Sequence, residues 1–188
     1  MKLEPTAQRV STAIKDIPVI DCHEHLPPES QQLKTPVDVF TLFAHYTKTD
    51  FLSAGMSADD YERMVDPTVD LDKRWKQYSP FIKHIRHGSY ARPAYLAASD
   101  LYGENGIHDG NYRALSEKMQ DAHRPGLYEE FLRRRCGIQA SVTQGGRAAD
   151  FDTGLFRVVS RVLQFTGFGS RGGLEANCRA LGSDPDSS

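Results

Sequence analysis

The chain has 188 residues, 39% of them hydrophobic and 26% charged, a composition ordinary for a globular domain with one sizeable core. Its net charge of −2 excludes a general attraction to nucleic acid or to an anionic membrane surface, and no apolar run approaches the roughly 20 residues that span a bilayer. Three widely spaced cysteines, Cys22, Cys136 and Cys178, suit reduced thiols, and Met1-Lys2-Leu3-Glu4-Pro5 carries an acid and no apolar stretch, so a cytoplasmic protein without a secretory signal is expected.

Residues 5 to about 15 read as a helix, with Pro5 in its first turn and Val10, Ala13, Ile14 and Ile17 at helical spacing. Pro18-Val19-Ile20-Asp21-Cys22-His23-Glu24-His25-Leu26 then starts apolar and β-branched, turns polar, and stops at Pro27-Pro28. This profile predicts a short buried strand whose C-terminal end opens into a polar site. Strand alternation puts Val19, Asp21, His23 and His25 on one face and Ile20, Cys22, Glu24 and Leu26 on the other. The two imidazoles can converge on one metal ion, with Asp21 as acceptor for a ring N–H. The plainer reading is a polar strand end, with Glu24 structural or solvent-facing and Cys22 a small buried residue.

From Pro27 to Gly137 almost everything reads as helix and loop, far more than an ordinary connection between a strand and its helix. Residues 27–32 form a polar loop. Thr35-Pro36 is expected to cap and open a helix with Val37, Phe40, Phe43, Ala44 and Tyr46 on its apolar side. Ser57-x-x-Asp60 opens a short helix ending at Asp66-Pro67. Leu71, Trp75, Tyr78, Ile82 and Ile85 make a helical stripe, with a kink or break expected near Ser79 because of Pro80. Further helices are expected from Tyr90 to Leu101 with a stop at Gly103, after Asn111 with Leu115, Met119 and Ala122 on one side, and from Pro125 to Gly137. Ile138 to Thr143 reads as a second strand. The loop that follows holds Gly145-Gly146-Arg147, an anion cradle or a plain flexible loop. Leu155 to Phe165 fits helix or strand by pattern. A short helix is expected near Leu174 to Leu181, and residues 182–188 form a polar tail expected to be disordered.

Val19-Ile20-Asp21-Cys22-His23-Glu24-His25-Leu26 resembles the first barrel strand of the amidohydrolase superfamily, which ends in Asp-x-His-x-His. The likeness is closest to the amidohydrolase-related (amidohydrolase 2) branch, with uronate isomerases as relatives. Residues 75–103 resemble the helical insertion of that branch and Tyr128 to Val142 its return into strand 2, so that the likeness covers about residues 16–165. It implies an α/β fold: the N-terminal part of a (β/α)₈ barrel of the TIM type with a long helical insertion after strand 1. The parts would be 1–26 (leading helix and strand 1), 27–137 (insertion), 138–181 (strands 2 and 3) and 182–188 (tail). Position in that pattern assigns residues 155–165 to strand 3. Eight strands do not fit in 188 residues, so a truncated product or fragment is expected. The family's later ligands, a Lys or Glu on strand 4, histidines on strands 5 and 6 and an Asp on strand 8, have no counterpart here.

The resemblance implies a divalent metal, most often zinc, held by His23 and His25, and hydrolysis of a small carbonyl, amide or ester substrate by metal-activated water. Uronate-isomerase-like or decarboxylase chemistry on a carboxylate is the second expectation, and a non-catalytic fragment or interaction module, open to homo-oligomers, is the third. Tyr78, Tyr90 and Arg92 come from the part of the insertion that could overhang the metal. They are candidates to contact a carboxylate, with packing as the other role for the two tyrosines. His84 and His87, three apart, lack nearby acids and read as surface residues, as do His45, His108 and His123. Arg133-Arg134-Arg135 reads as charge at a helix C-terminus.

Overall fold

The computed structural model describes residues 4–15, 17–144, 148–159 and 169–180. The chain divides into two compact units, residues 1–28 with 137–188, and residues 29–136.

The first unit contains α1 (Pro5–Lys15), β1 (Val19–Glu24), β2 (Ile138–Gln144), β3 (Phe156–Val159) and α8 (Arg171–Ala180). The strands form one parallel sheet in the order β1-β2-β3. Parallel neighbours need a crossover between them, and between β1 and β2 the whole helical unit supplies it. The central strand, β2, buries Ser141 and Thr143 completely. Phe151, Leu155 and Phe156 are buried beside it, the two phenylalanine rings 5.3 Å apart. The ambiguous stretch after Leu155 is thus strand over its described residues, because the backbone of Phe156–Val159 pairs with Ser141–Gln144. Residues 160–165, the Gly145-Gly146-Arg147 loop and the tail at 182–188 lie outside the described residues.

Two expectations for β1 are corrected. The strand is not buried: Val19 is 45% and Ile20 61% exposed. Strict alternation also fails. The register against β2 shifts between Val19 and Ile20 and again between Asp21 and Glu24, and such irregularities turn side chains out of the two-residue repeat.

The second unit contains α2 (Glu29–Gln32), a 3₁₀ turn (Val39–Phe43), α3 (Thr47–Ser53), α4 (Ala58–Val65), α5 (Leu71–Ile85), α6 (Arg92–Asp100), α7 (Tyr112–Ala122) and a π-helical turn (Glu129–Arg135). Its core gathers Val39, Phe40, Phe43, Phe51, Met64, Ile82 and Leu115, all fully enclosed. The stripe on α5 packs into it as its spacing predicts: Trp75, Tyr78, Ile82 and Ile85 are buried and Leu71 partly so. Trp75 lies flat on Tyr112 of α7, ring centres 4.4 Å apart, and donates its N–H to Asp109. Ser57 caps α4 by accepting from the Asp60 N–H at 3.1 Å. Gly103, at φ +68, stops the chain after α6; a left-handed backbone there favours glycine.

α5 runs without interruption through Pro80, against the expected break. Pro80 removes the hydrogen bond to the Lys76 carbonyl, but both residues lie on the exposed side of the helix, where water can satisfy that carbonyl. The helix expected from Thr35-Pro36 is likewise displaced. Asp38 is the cap, taking the Phe40 N–H on Oδ1 at 2.9 Å while its own N–H goes to Thr41 Oγ1 at 3.0 Å. The other oxygen of Asp38 pairs with Arg74 of α5. Arg74 is only 2% exposed. It also donates to the carbonyls of Val69 (2.8 Å) and Met64 (3.1 Å) and stacks over Phe40. Ala44 and Tyr46, expected on the apolar side, are exposed as a result.

Replacing Arg74 with Ala leaves Asp38 enclosed without its partner, and is expected to destabilise the helical unit by about 3–5 kcal/mol. Urea unfolding followed through Trp75, the one tryptophan of the chain, measures it. A loss as small as that of an exposed ion pair, below about 1 kcal/mol, would show that the pair is not what holds these segments.

Candidate metal and substrate site

The polar end of β1 is where the sequence placed chemistry, and the structure brings part of that set together. His23 is the next-to-last residue of β1 and His25 follows its end. Their Nε2 atoms lie 3.0 Å apart, the rings edge to face with centroids 4.8 Å apart. Two nitrogens each about 2.05 Å from one tetrahedral metal lie about 3.3 Å apart, so the pair is close to the separation two ligands of one ion require. Both rings are exposed. Among the described residues no group of three or more His, Cys, Asp or Glu could hold a metal; the pair supplies two donors and no third.

Asp21 is not on a ring nitrogen. Its Oδ1 accepts the backbone N–H of His23 at 3.3 Å and its Oδ2 accepts the Ser141 hydroxyl of β2 at 2.8 Å. The register shift after Asp21 explains this, since the carboxylate is turned toward the neighbouring strand. The atom that meets the His23 ring is instead the Gln144 amide nitrogen at the end of β2, 3.2 Å from Nδ1. This contact couples the ring's tautomer to the orientation of the amide. With the amide N–H donating, Nδ1 accepts, and the proton sits on Nε2, shared with His25. Turned over, the amide oxygen would accept from Nδ1–H and leave Nε2 free to bind a metal. Nothing near the motif announces Gln144 in the sequence, because it arrives only through pairing with a strand more than a hundred positions away.

The backbone around His25 is held from β2 as well. The Thr143 hydroxyl reaches the carbonyls of Glu24 (3.4 Å) and Leu26 (3.2 Å). Glu24, expected on the face opposite Asp21, feels the Asp21 charge, and its carboxylate accepts the His25 N–H at 3.3 Å. Burial, reinforced by the Asp21 charge, raises the Glu24 pKa above the ordinary carboxylate value. Cys22, expected to be buried, is exposed.

The other candidates lie in the helical unit. Tyr78 is 2% exposed in its core, with its hydroxyl 3.3 Å from Asp60. Arg92 is exposed in the first turn of α6. Tyr90 is half exposed and stacks on Tyr46, rings 5.5 Å apart and 15° from parallel. Beside them His45 takes φ +69, the one left-handed backbone among the described non-glycine residues, a conformation that marks turns and functional sites. His45 and Tyr46 line a small cleft with Leu52 and Tyr61. The apolar pattern had absorbed Tyr46 into a helix face, so neither residue was legible as part of a site. His84 and His87 are exposed, and His87 accepts from Arg86 at 2.8 Å.

No protein-family model matches the chain, and no curated protein matches it. Among solved structures it is similar to glucuronate isomerase from Caulobacter crescentus, with a TM-score of 0.62 and 18% identity over 96% of this chain and 43% of that one. The chain therefore shares the fold of a stretch of that enzyme and spans less than half its length.

The Glu24 shift has a measurable consequence. A carboxyl whose folded pKa is raised binds its proton more tightly in the folded chain, so stability falls as pH rises from the ordinary carboxylate value through the folded one. Glu24→Gln is expected to remove that fall, the variant gaining on the wild type as pH increases through the window. Urea midpoints of the sheet unit at a series of pH values check it, and parallel profiles for the two proteins would count against it.

Proposed function

We propose that this chain carries the first-strand half of a metal site in a barrel enzyme of the amidohydrolase type, acting on a small carbonyl compound. The convergence of the two Nε2 atoms to 3.0 Å at the C-terminal end of a parallel strand carries this reading, since active sites of (β/α)₈ enzymes form at that end of the sheet. His23 and His25 would hold the ion, a divalent metal such as zinc. When bound, such an ion polarises a carbonyl and lowers the pKa of water. Gln144, with its amide oxygen turned to Nδ1–H of His23, would free the Nε2 atom for the metal, while Asp21 and Thr143 tie the strand end to β2. The donors needed beyond these two are, by the same resemblance, a matter for later strands.

Two reactions suit such a site. Hydrolysis of an amide or ester is what the strand-1 motif alone suggests. Isomerisation of a uronate-like hydroxy-carboxylate is favoured by one specific observation, the structural likeness to glucuronate isomerase.

Elemental analysis and zinc titration of the purified chain test the centre. Binding is expected, lost in His23→Ala/His25→Ala and weakened by about tenfold or more in Gln144→Leu. Equal uptake by the double-alanine variant would sink the assignment. If metal binds, consumption of glucuronate against hydrolysis of simple esters and amides by the loaded protein separates the two reactions.

A further inference from the structure

Within the helical unit, the C-terminal ends of α6 and α7 and the π-helical turn enclose a cleft of about 620 Å³, the size of a small-molecule site. Its floor is apolar: Leu101, Tyr102, Leu127 and Phe131 line it, with the Tyr102 and Phe131 rings 5.7 Å apart and tilted by 47°. The Tyr102 hydroxyl makes no hydrogen bond to a described residue. Phe131 comes from the π-helical turn, whose wide winding shows in the Cys136 N–H reaching back to the Phe131 carbonyl at 3.0 Å. Such turns are rare and recur at functional sites.

The charges at the mouth divide into two kinds. Most are matched within the protein. Lys118 bonds Glu104 and the Tyr102 carbonyl, Arg135 bonds Glu130 and the Leu101 carbonyl, and Arg134 faces Glu129 and Glu130. Asp121 and Arg124 are different. Both line the cleft and both are exposed, and neither makes an ion pair or side-chain hydrogen bond with a described residue, nor do they join each other. One unmatched acid and one unmatched base thus stand over one apolar floor. A simple anion would meet Asp121 and a simple cation Arg124, whereas a zwitterion answers both.

We propose that this cleft binds a free amino acid with an aromatic or large aliphatic side chain. Its ammonium group would lie at Asp121, its carboxylate on the Arg124 guanidinium, and its side chain on Tyr102 and Phe131. The proposal goes beyond the metal-dependent reading and does not rest on it.

Calorimetric titration of the full chain, without added metal, with L-phenylalanine, 3-phenylpropanoate and 2-phenylethylamine tests the cleft. Phenylalanine is expected to bind saturably, and each analogue, lacking one charge, about tenfold more weakly or worse. Asp121→Asn should erase the advantage of phenylalanine over 3-phenylpropanoate, and Arg124→Gln its advantage over 2-phenylethylamine. Both positions are exposed, so folding should survive, and circular dichroism verifies that. Absence of phenylalanine binding, an analogue binding as tightly, or full affinity in both variants would each overturn the proposal.

Discussion

The ion pair between Asp38 and Arg74 is the contact on which the helical unit turns. An enclosed charge is tolerable only when it is paired and hydrogen-bonded on its remaining sides. Here one guanidinium answers the carboxylate, two carbonyls and the face of Phe40. The pair joins segments far apart in the chain: the 3₁₀ turn that carries Val39, Phe40 and Phe43, the end of α4 through Met64, and the first turn of α5. Once Arg74 is fixed, the register of α5 is fixed, and Trp75, Tyr78, Ile82 and Ile85 can enter the core only in one way. Glu29 does similar work at the edge of the unit, its carboxylate taking the N–H groups of Gly126 (2.9 Å) and Tyr128 (2.8 Å) and so tying the unit's first residue to the approach of the π-helical turn.

In the sheet unit the governing constraint is strand pairing rather than burial. β1 exposes Val19 and Ile20, and α1 exposes Val10 and Ile14. Apolar exposure of this kind is unusual for a parallel sheet, whose faces are ordinarily covered. What orders the end of β1 is therefore polar. Ser141 holds Asp21, Thr143 holds the carbonyls of Glu24 and Leu26, and Gln144 meets His23. Three residues of β2 thereby set the backbone and ring geometry of a histidine pair that belongs to β1. Within that pairing the register shifts between Asp21 and Glu24. Burial at this strand end, with the Asp21 charge beside it, holds the Glu24 pKa above the ordinary carboxylate value.

The amino-acid sequence by itself determined what short-range physics decides. Ser57 caps α4 because its side chain reaches an N–H three residues on. The stripe from Trp75 to Ile85 is buried because helical spacing gathers it on one side. Gly103 ends its segment because glycine takes that left-handed backbone angle without the cost a side chain brings. The nearness of His23 to His25 follows in the same way from two residues of extended chain. The tertiary structure alone decided the rest, because the deciding partners are remote in sequence. Arg74 moved the cap from Thr35 to Asp38, and exposure to water on one side of α5 let Pro80 pass without a break. Pairing with β2 made strand of Phe156–Val159, turned Asp21 away from the imidazoles and brought Gln144 to them. The unusual backbone of His45 and the cleft floored by Tyr102 and Phe131 belong to the same class. Each depends on where several segments meet, and no pattern within one segment records that.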